Sequence, residues 1–301
     1  MHLRRPTTEQ PHYGEHLGDV EYWSPYVAAV LERHDLPADR IEAPFIGTFP
    51  TFLAGDVVVK LFADTFDGAR SFAAERAMCE LVRSAPGIPA PELLGSGQLF
   101  DPGDRWHWHW PYLITERIAG TAIREASATA PIAGQLGAAV AQLHRLTPPA
   151  VVAARDLLPS LRSEATPRQC SYGMPDHLAL QIPDYLAGAS TERVLVHADL
   201  TADHAFVDST GLVGIIDWGD AIAADPWYEL VAIHFDCLRA DSALFAEFLE
   251  GYGWSDAPEF PQQALRGVLE FQLDVISTIA KLVDLNSIAT LDELAHQLFS
   301  R

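Results

Sequence analysis

The chain of 301 residues carries 41 acidic side chains against 20 basic ones, a formal net charge of −21 at pH 7, and 49% of it is apolar. That length and apolar share suffice to bury one large core or two smaller ones and exclude a disordered chain. The acidic balance excludes nucleic acid and anionic membrane surfaces as main partners, because both demand a basic footprint, and it favours cations instead.

The three cysteines, Cys79, Cys170 and Cys237, are far apart and form no CxxC pair, which argues against a disulfide framework and a structural zinc site. The N-terminal MHLRRPTTEQPHYGEH lacks the apolar core of a signal peptide, and no run approaches the roughly 18 apolar residues of a membrane span. A reducing, cytoplasmic location is expected.

In chain order, EYWSPYVAAVLERHDL (Glu21 to Leu36) has helical periodicity and stops at Pro37. From Ile41 to Phe62 the pattern changes to strands, with two apolar runs joined by the turn Ala54-Gly55-Asp56. Helical periodicity returns from Gly68 to Ser84, after which IPAPELLGSGQLF and WPYLITERI read as further strands. Pro131 to Leu146 is a strong amphipathic helix closed by Pro148 and Pro149, and Pro159 to Leu186 reads as short helices and loops. A strand pair around Asp199 and Asp217 follows, and everything from Pro226 onward reads as helices. The simplest parse is two lobes joined near Glu116 to Gly120. WHWHW, Trp106 to Trp110, is expected to be an exposed hairpin with an aromatic face, since no third ligand accompanies His107 and His109.

The stretch RVLVHADLTADHAFVDSTGLVGIIDWGD, Arg193 to Asp220, carries most of the chemistry. Asp199 and Asp217 each close an apolar strand-like run, which places two carboxylates at adjacent strand tips. Phosphoryl transfer needs an aligned acceptor hydroxyl, held phosphates and a cation that neutralises developing charge. At its strand end Asp199 is placed to accept a proton from the hydroxyl, and Asp217 to hold Mg²⁺ through hard oxygen. His204, five residues after Asp199, can offer a nitrogen better suited to Mn²⁺ or zinc than to Mg²⁺, while Asp203 beside it could supply oxygen instead.

Lys60 and Lys281 are the only lysines. Lys60 stands in the second strand of the first hairpin, and a compact point charge there needs a carboxylate partner on the next helix. In SFAAERAMCELVRS, Glu75 shares its azimuth with Val82 on the apolar face, whereas Glu80 points roughly 140° away from Glu75. Glu75 is therefore the expected partner.

Lys60, Glu75, the HADL run at His197 to Leu200 and the IDWGD run at Ile216 to Asp220 together resemble the aminoglycoside phosphotransferases, which share the protein-kinase-like fold. VVVKLF, IPAPELLGSGQLF, WPYLITERIAGT and LDELAHQLF look closest to the hygromycin B kinases within that family. The resemblance implies an α+β, bilobal protein-kinase-like fold. Its small antiparallel-sheet N-lobe would be residues 1–118, nucleotide-binding and including the N-terminal helix. The larger, mainly helical C-lobe, 119–301, would be catalytic and substrate-binding. It implies Asp199 as catalytic base, Asp217 as metal ligand, Lys60 held by Glu75 as the phosphate-positioning lysine, and a hinge at Glu116 to Ile118 that hydrogen-bonds adenine or guanine. The family has HGD and then asparagine where this chain has Ala198 and His204, which leaves the base intact and alters the second metal contact. Gly47-Thr48-Phe49-Pro50 stands in place of a GxGxxG loop.

The implied reaction moves the γ-phosphate of ATP or GTP, with Mg²⁺ or Mn²⁺, to a hydroxyl of an aminoglycoside or aminocyclitol such as hygromycin B, giving antibiotic resistance. Residues 1–118 hold 17 acidic and 10 basic side chains and 119–301 hold 24 and 10, so the C-terminal part is the more anionic. A cationic small-molecule substrate would be drawn there, with Asp220, Asp225, Glu229, Asp236 and Asp241 as possible lining. Three other readings remain open: a kinase of choline, an amino sugar or another hydroxylated metabolite; a non-catalytic kinase-like nucleotide-binding module; and a metallohydrolase built on His197, Asp199, Asp203 and His204 with His234.

Overall fold

The computed structural model describes residues 3–9, 12–44, 47–103, 107–254 and 259–299. Phe45 and Ile46 in the expected first strand region, and Trp106 of WHWHW, lie outside them. The chain divides into two compact units, one of Met1–Ser84 with Ala90–Ala119 and the other of Ala85–Pro89 with Gly120–Arg301.

The first unit opens with helices α1 (His12–His16) and α2 (Val20–Glu32). Asp19 caps α2 by accepting the Tyr22 N–H at 3.0 Å. Trp23, Tyr26, Val27, Val30 and Leu31 recur at the spacing of one helical face, and all five are buried. They pack with inward residues of an antiparallel sheet, among them Phe52, Val59, Leu61 and Ile114. Its strands are β1 (Ile41–Glu42), β2 (Thr51–Ala54), β3 (Val57–Leu61), β4 (Leu93–Gln98) and β5 (Pro111–Glu116), in the order β1-β2-β3-β5-β4. Helix α3 (Gly68–Arg83) lies between β3 and β4 in sequence.

Alternation along β3 buries Val57, Val59 and Leu61 in this core and leaves Lys60 on the other face of the sheet. The WHWHW segment is not an exposed aromatic hairpin face. Trp110 is buried in the core, Trp108 packs against it and donates its indole N–H to Phe62 O, and among the described residues of the segment only His107 is exposed, paired with Asp64 at 2.6 Å. Burial of Trp110 and partial burial of Trp108 turn these indoles towards the core, and β5 starts only at Pro111.

The second unit contains two small sheets among helices. Strands β6 (Thr121–Ala122), β8 (Ala205–Asp208) and β9 (Gly211–Ile215) form one, in the order β6-β8-β9. Strand β7 (Val194–Val196) pairs with β10 (Ile222–Ala224) in the other. The strands that lead to Asp199 and Asp217, β7 and β9, are therefore not partners, contrary to the expected strand pair. Hairpin closure joins β8 to β9 locally, while β7 takes the strand that follows Asp217. The short segment Ala85–Pro89 belongs to this unit, and Pro89 O accepts the Ile215 N–H at 2.8 Å.

Helices α4 (Ile123–Ala126) and α5 (Ala130–His144) follow β6. Residues 150–186 form five short helices, α6 (Ala150–Ala153), α7 (Leu158–Ser163), α8 (Ala165–Ser171), α9 (Asp176–Ala179) and α10 (Ile182–Leu186). After β10 come α11 (Pro226–Ala232), a π-helical turn (Ile233–Cys237), α12 (Ser242–Tyr252), α13 (Phe260–Glu270), α14 (Ile276–Leu282) and α15 (Leu291–Phe299). Among the described residues no helix is long and apolar enough to cross a membrane.

Helices α5 and α12 approach closely at Gly137, where an added Cβ would lie 2.0 Å from Phe248 O and 2.7 Å from Tyr252 N. Both atoms are backbone, so relief requires the helices to separate. Gly137→Ala is expected to destabilise the protein by about 3 kcal/mol or more, the upper end of overpacking costs, as read from urea unfolding.

Candidate active site

In the first unit, Lys60 Nζ donates to Glu75 Oε2 at 2.7 Å, with the two side chains only 12% and 9% exposed. The ammonium also lies 5.9 Å from the Phe49 ring centroid and 5.4 Å from that of Phe62. Glu75 is on the buried face of α3 with Met78 and Val82, as its azimuth requires, while Glu80 is exposed. A compact charge held this way keeps its position but not its full donor capacity, since an ammonium has three N–H groups. At the end of β5, the Glu116 N–H is donated to Glu92 O and the Arg117 N–H to Asp56 O, both within this unit. Of the expected hinge, Ile118 then remains as the position from which a donor to a base would have to come.

In the second unit, the chain leaves β7 through His197, which is fully buried. Its Nε2 lies 2.9 Å from Ile216 O, a pure acceptor, so Nε2 carries the proton; Nδ1 accepts the Asp199 N–H at 3.3 Å. Burial pushes its pKa down to about 4, which keeps the ring neutral in that tautomer. Ala198 has a φ of 69°, the left-handed region, and an alanine held there costs about 1 kcal/mol that a glycine would not. The turn aims the next residue, Asp199, away from the core.

What holds this turn is Glu229 of α11. Its Oε2 accepts the His197 N–H, and the Ala198 N–H also acts on the carboxylate. Glu229 is 1% exposed, and burial raises its pKa to about 7 against the opposing pull of those two N–H groups. It interrupts the apolar run of α11, and a lone carboxylate within such a run was the available signal for its role.

Asp199 is itself pushed up to about 6. Burial is the main cause, the neighbouring His204 offsets part of it, and the charges of Asp217, Asp220 and Asp236 add to the rise. A carboxyl tuned in this way is suited to general base work near neutral pH.

His204 N–H donates to Thr201 O and its carbonyl accepts the Ile216 N–H at 3.0 Å, which brings it beside Asp217. Asp217 takes a φ of 64°, and Trp218 behind it donates its indole N–H to Ile215 O while its ring packs 4.6 Å from that of His197. His204 Nδ1 lies 2.6 Å from the Asp199 carbonyl, which can only accept, so in the neutral ring the proton is on Nδ1. The lone pair is then on Nε2, 3.8 Å from Asp217 Oδ2. One nitrogen and one carboxylate facing the same space fit a divalent cation that draws its remaining ligands from elsewhere. Among the described residues no group of three or more His, Cys, Asp or Glu side chains is arranged to hold a metal alone.

The other candidate residues are engaged in structure. Asp203 pairs with Arg124 at 2.9 Å, and His234 packs against Phe235, Phe245 and Phe299. The ligand set of a zinc hydrolase is therefore not brought together. Of the five acids considered as substrate lining, Asp225 caps α11, Asp241 caps α12, Asp220 pairs with Arg155 at 3.5 Å, Asp236 pairs with Arg124 at 2.8 Å, and Glu229 holds the loop. Asp236 and Arg124 had no local sequence signal, because their partnership spans distant elements.

The model of the phosphotransferase enzyme family matches residues 48–263. Solved structures share the fold at low identity. The GDP and kanamycin complex of APH(2")-IIia is 20% identical with a TM-score of 0.66, over 91% of this chain and 96% of that one. Macrolide 2'-phosphotransferase MphH from Brachybacterium faecium is 19% identical with a TM-score of 0.59, over 91% and 98%. Aminoglycoside phosphotransferase APH(3'')-Id from Streptomyces rimosus, in complex with ADP and streptomycin, is 19% identical with a TM-score of 0.56, over 83% and 98%. The fold is the α+β, kinase-like one expected from the sequence, and with its model matched over most of its length the chain belongs to the phosphotransferase enzyme family.

Proposed function

We propose that this phosphotransferase moves the γ-phosphate of ATP or GTP to a hydroxyl of a cationic small molecule of the aminoglycoside or aminocyclitol class, hygromycin B among them, and so confers resistance. The observation that carries the reading is Asp199, a base raised to about 6 on a strained strand tip, with His204 and Asp217 beside it. The acceptor hydroxyl donates a hydrogen bond to the Asp199 carboxylate. As its oxygen bonds to phosphorus and the bond to the leaving nucleoside diphosphate breaks, the proton passes to Asp199. Lys60, held by Glu75 in the first unit, positions the phosphates, and the hinge at Glu116 to Ile118 receives the base. Asp217 and His204 would hold Mg²⁺ or, because one donor is nitrogen, Mn²⁺, which when bound neutralises charge developing on the phosphates.

A second reading keeps the chemistry and changes the acceptor to another hydroxylated metabolite, such as a choline-like compound or an amino sugar. It is favoured by the internal partners of Asp220, Asp225, Glu229, Asp236 and Asp241, which reduce the carboxylate surface available to a polycation. Nucleotide turnover against a panel of hydroxylated amines separates the two, with hygromycin B tried first. Turnover with metabolites and none with any aminoglycoside overturns the narrow reading; nucleotide binding without transfer to any acceptor marks a non-catalytic module.

Three outcomes are expected with the active acceptor. Asp199→Asn lowers kcat by about 10² to 10⁴ with nucleotide binding retained, as measured by turnover and calorimetry. Because only the ionised base accepts the proton, kcat/KM rises with pH to a plateau above about 6 and falls about tenfold per unit below it. His204→Asn shifts the cation preference from Mn²⁺ towards Mg²⁺, and nitrogen coupling in the electron spin echo of bound Mn²⁺ disappears; coupling that persists rules out His204 as a ligand.

A further inference from the structure

Residues 200–203 join the proposed base to His204, and their backbone is held from outside the loop at three points. Asp236 Oδ2 accepts the Ala202 N–H at 2.7 Å. The Arg124 N–H donates to Ala202 O at 2.9 Å. Cys237 Sγ–H donates to Leu200 O at 3.3 Å. Asp236 and Cys237 belong to the same π-helical turn, Ile233–Cys237, which continues directly from α11. Turns of this kind are rare and are frequently found at functional sites, where the extra residue re-aims side chains that a continuous α-helix would direct elsewhere.

The guanidinium of Arg124 fastens these points together. Its Nη2 donates to both oxygens of Asp236 at 2.8 Å and to Asp203 Oδ2 at 2.9 Å, and Nε donates to Asp203 Oδ2 at 3.2 Å. Arg239, just past the turn, donates from Nη2 to Arg124 O at 3.0 Å. One arginine on α4 is thus tied to the loop by its backbone and by Asp203, and to the π turn by Asp236. The pairs with Asp203 and Asp236 involve side chains 43%, 52% and 32% exposed, so solvent screens them and global stability gains little from them. Their geometric effect is larger, because a displacement of about 1 Å at a reacting group can cost about 10² in rate.

We propose that Arg124 and Asp236 are positioning residues, a clamp that fixes the loop between Asp199 and His204 without touching substrate. The inference rests on the reading of Asp199 as the base. It gives Asp236 a task other than attracting a cationic acceptor, and it explains why the carboxylate aims at Ala202 N–H.

The test uses the full chain with Arg124→Ala, Arg124→Lys, Asp236→Asn and the double variant Arg124→Ala/Asp236→Asn. Steady-state kinetics, urea unfolding and proton NMR of the hydrogen-bonded His204 Nδ1–H are measured on each. Arg124→Ala is expected to lower kcat by about 10 to 10² with nucleotide KM changed less than about twofold and the unfolding midpoint nearly kept. Arg124→Lys restores part of the rate, and the double variant is no worse than the more impaired single one. The Nδ1–H resonance broadens or is lost in Arg124→Ala and is retained in Arg124→Lys. A kcat within about twofold of the parent in Arg124→Ala, losses that multiply in the double variant, or a rate loss that follows unfolding and is not rescued by lysine would each overturn the clamp. Should the parent transfer phosphate to no acceptor, the kinase reading fails, and the resonance alone decides whether Arg124 holds the loop: unchanged in Arg124→Ala, it does not.

Discussion

The second unit depends on a carboxylate buried without a cationic partner. Glu229 accepts backbone N–H groups from the turn at His197 and Ala198, and that turn is where a residue other than glycine must take a left-handed conformation. Burying a carboxyl in this way is unfavourable unless hydrogen bonds answer it, and its raised pKa records the imbalance. The arrangement persists because the same turn sets three neighbours at once: His197 locked behind it in one tautomer, Asp199 projecting from its tip, and His204 returning to the Asp199 carbonyl. Loss of that anchor would release all three.

Local features of the sequence carried far. The apolar face of α2 and the azimuth of Glu75 on α3 follow from helical period alone, and Lys60 meets Glu75 as that period requires. Asp199, His204 and Asp217 were legible as a group because they are close in sequence as well as in space. Pairings between distant segments were not legible. Strand β7 joins β10 and not β9, since an apolar strand pattern states which face is buried and says nothing about which neighbour supplies the ladder. Arg124 and Asp236 are separated by more than a hundred residues, and neither stands in a motif.

The acidic composition also reads differently once its parts are located. A charge of −21 suggested a surface that draws cations. In the C-terminal part, the acids that looked available cap helices, hold a loop or pair with arginine. Formal charge counts carboxylates, whereas recognition depends on those whose lone pairs are still open to a ligand. Where the partner is cationic it is arginine, in keeping with a chain that has two lysines.

The segment Ala85–Pro89 has a consequence for how the chain can be built or divided. It is flanked on both sides by sequence of the first unit, yet Pro89 O receives the Ile215 N–H at the end of β9. No single cut separates the two units, since a fragment beginning at Gly120 lacks that acceptor and one ending at Ala119 keeps the Pro89 carbonyl without the Ile215 donor. During synthesis the sheet of the first unit can be complete while this stretch still waits for β9 to emerge. The second unit is thus bound to its neighbour by chain connectivity, and a swap of equivalent units between relatives would have to carry five residues from the wrong side of the boundary.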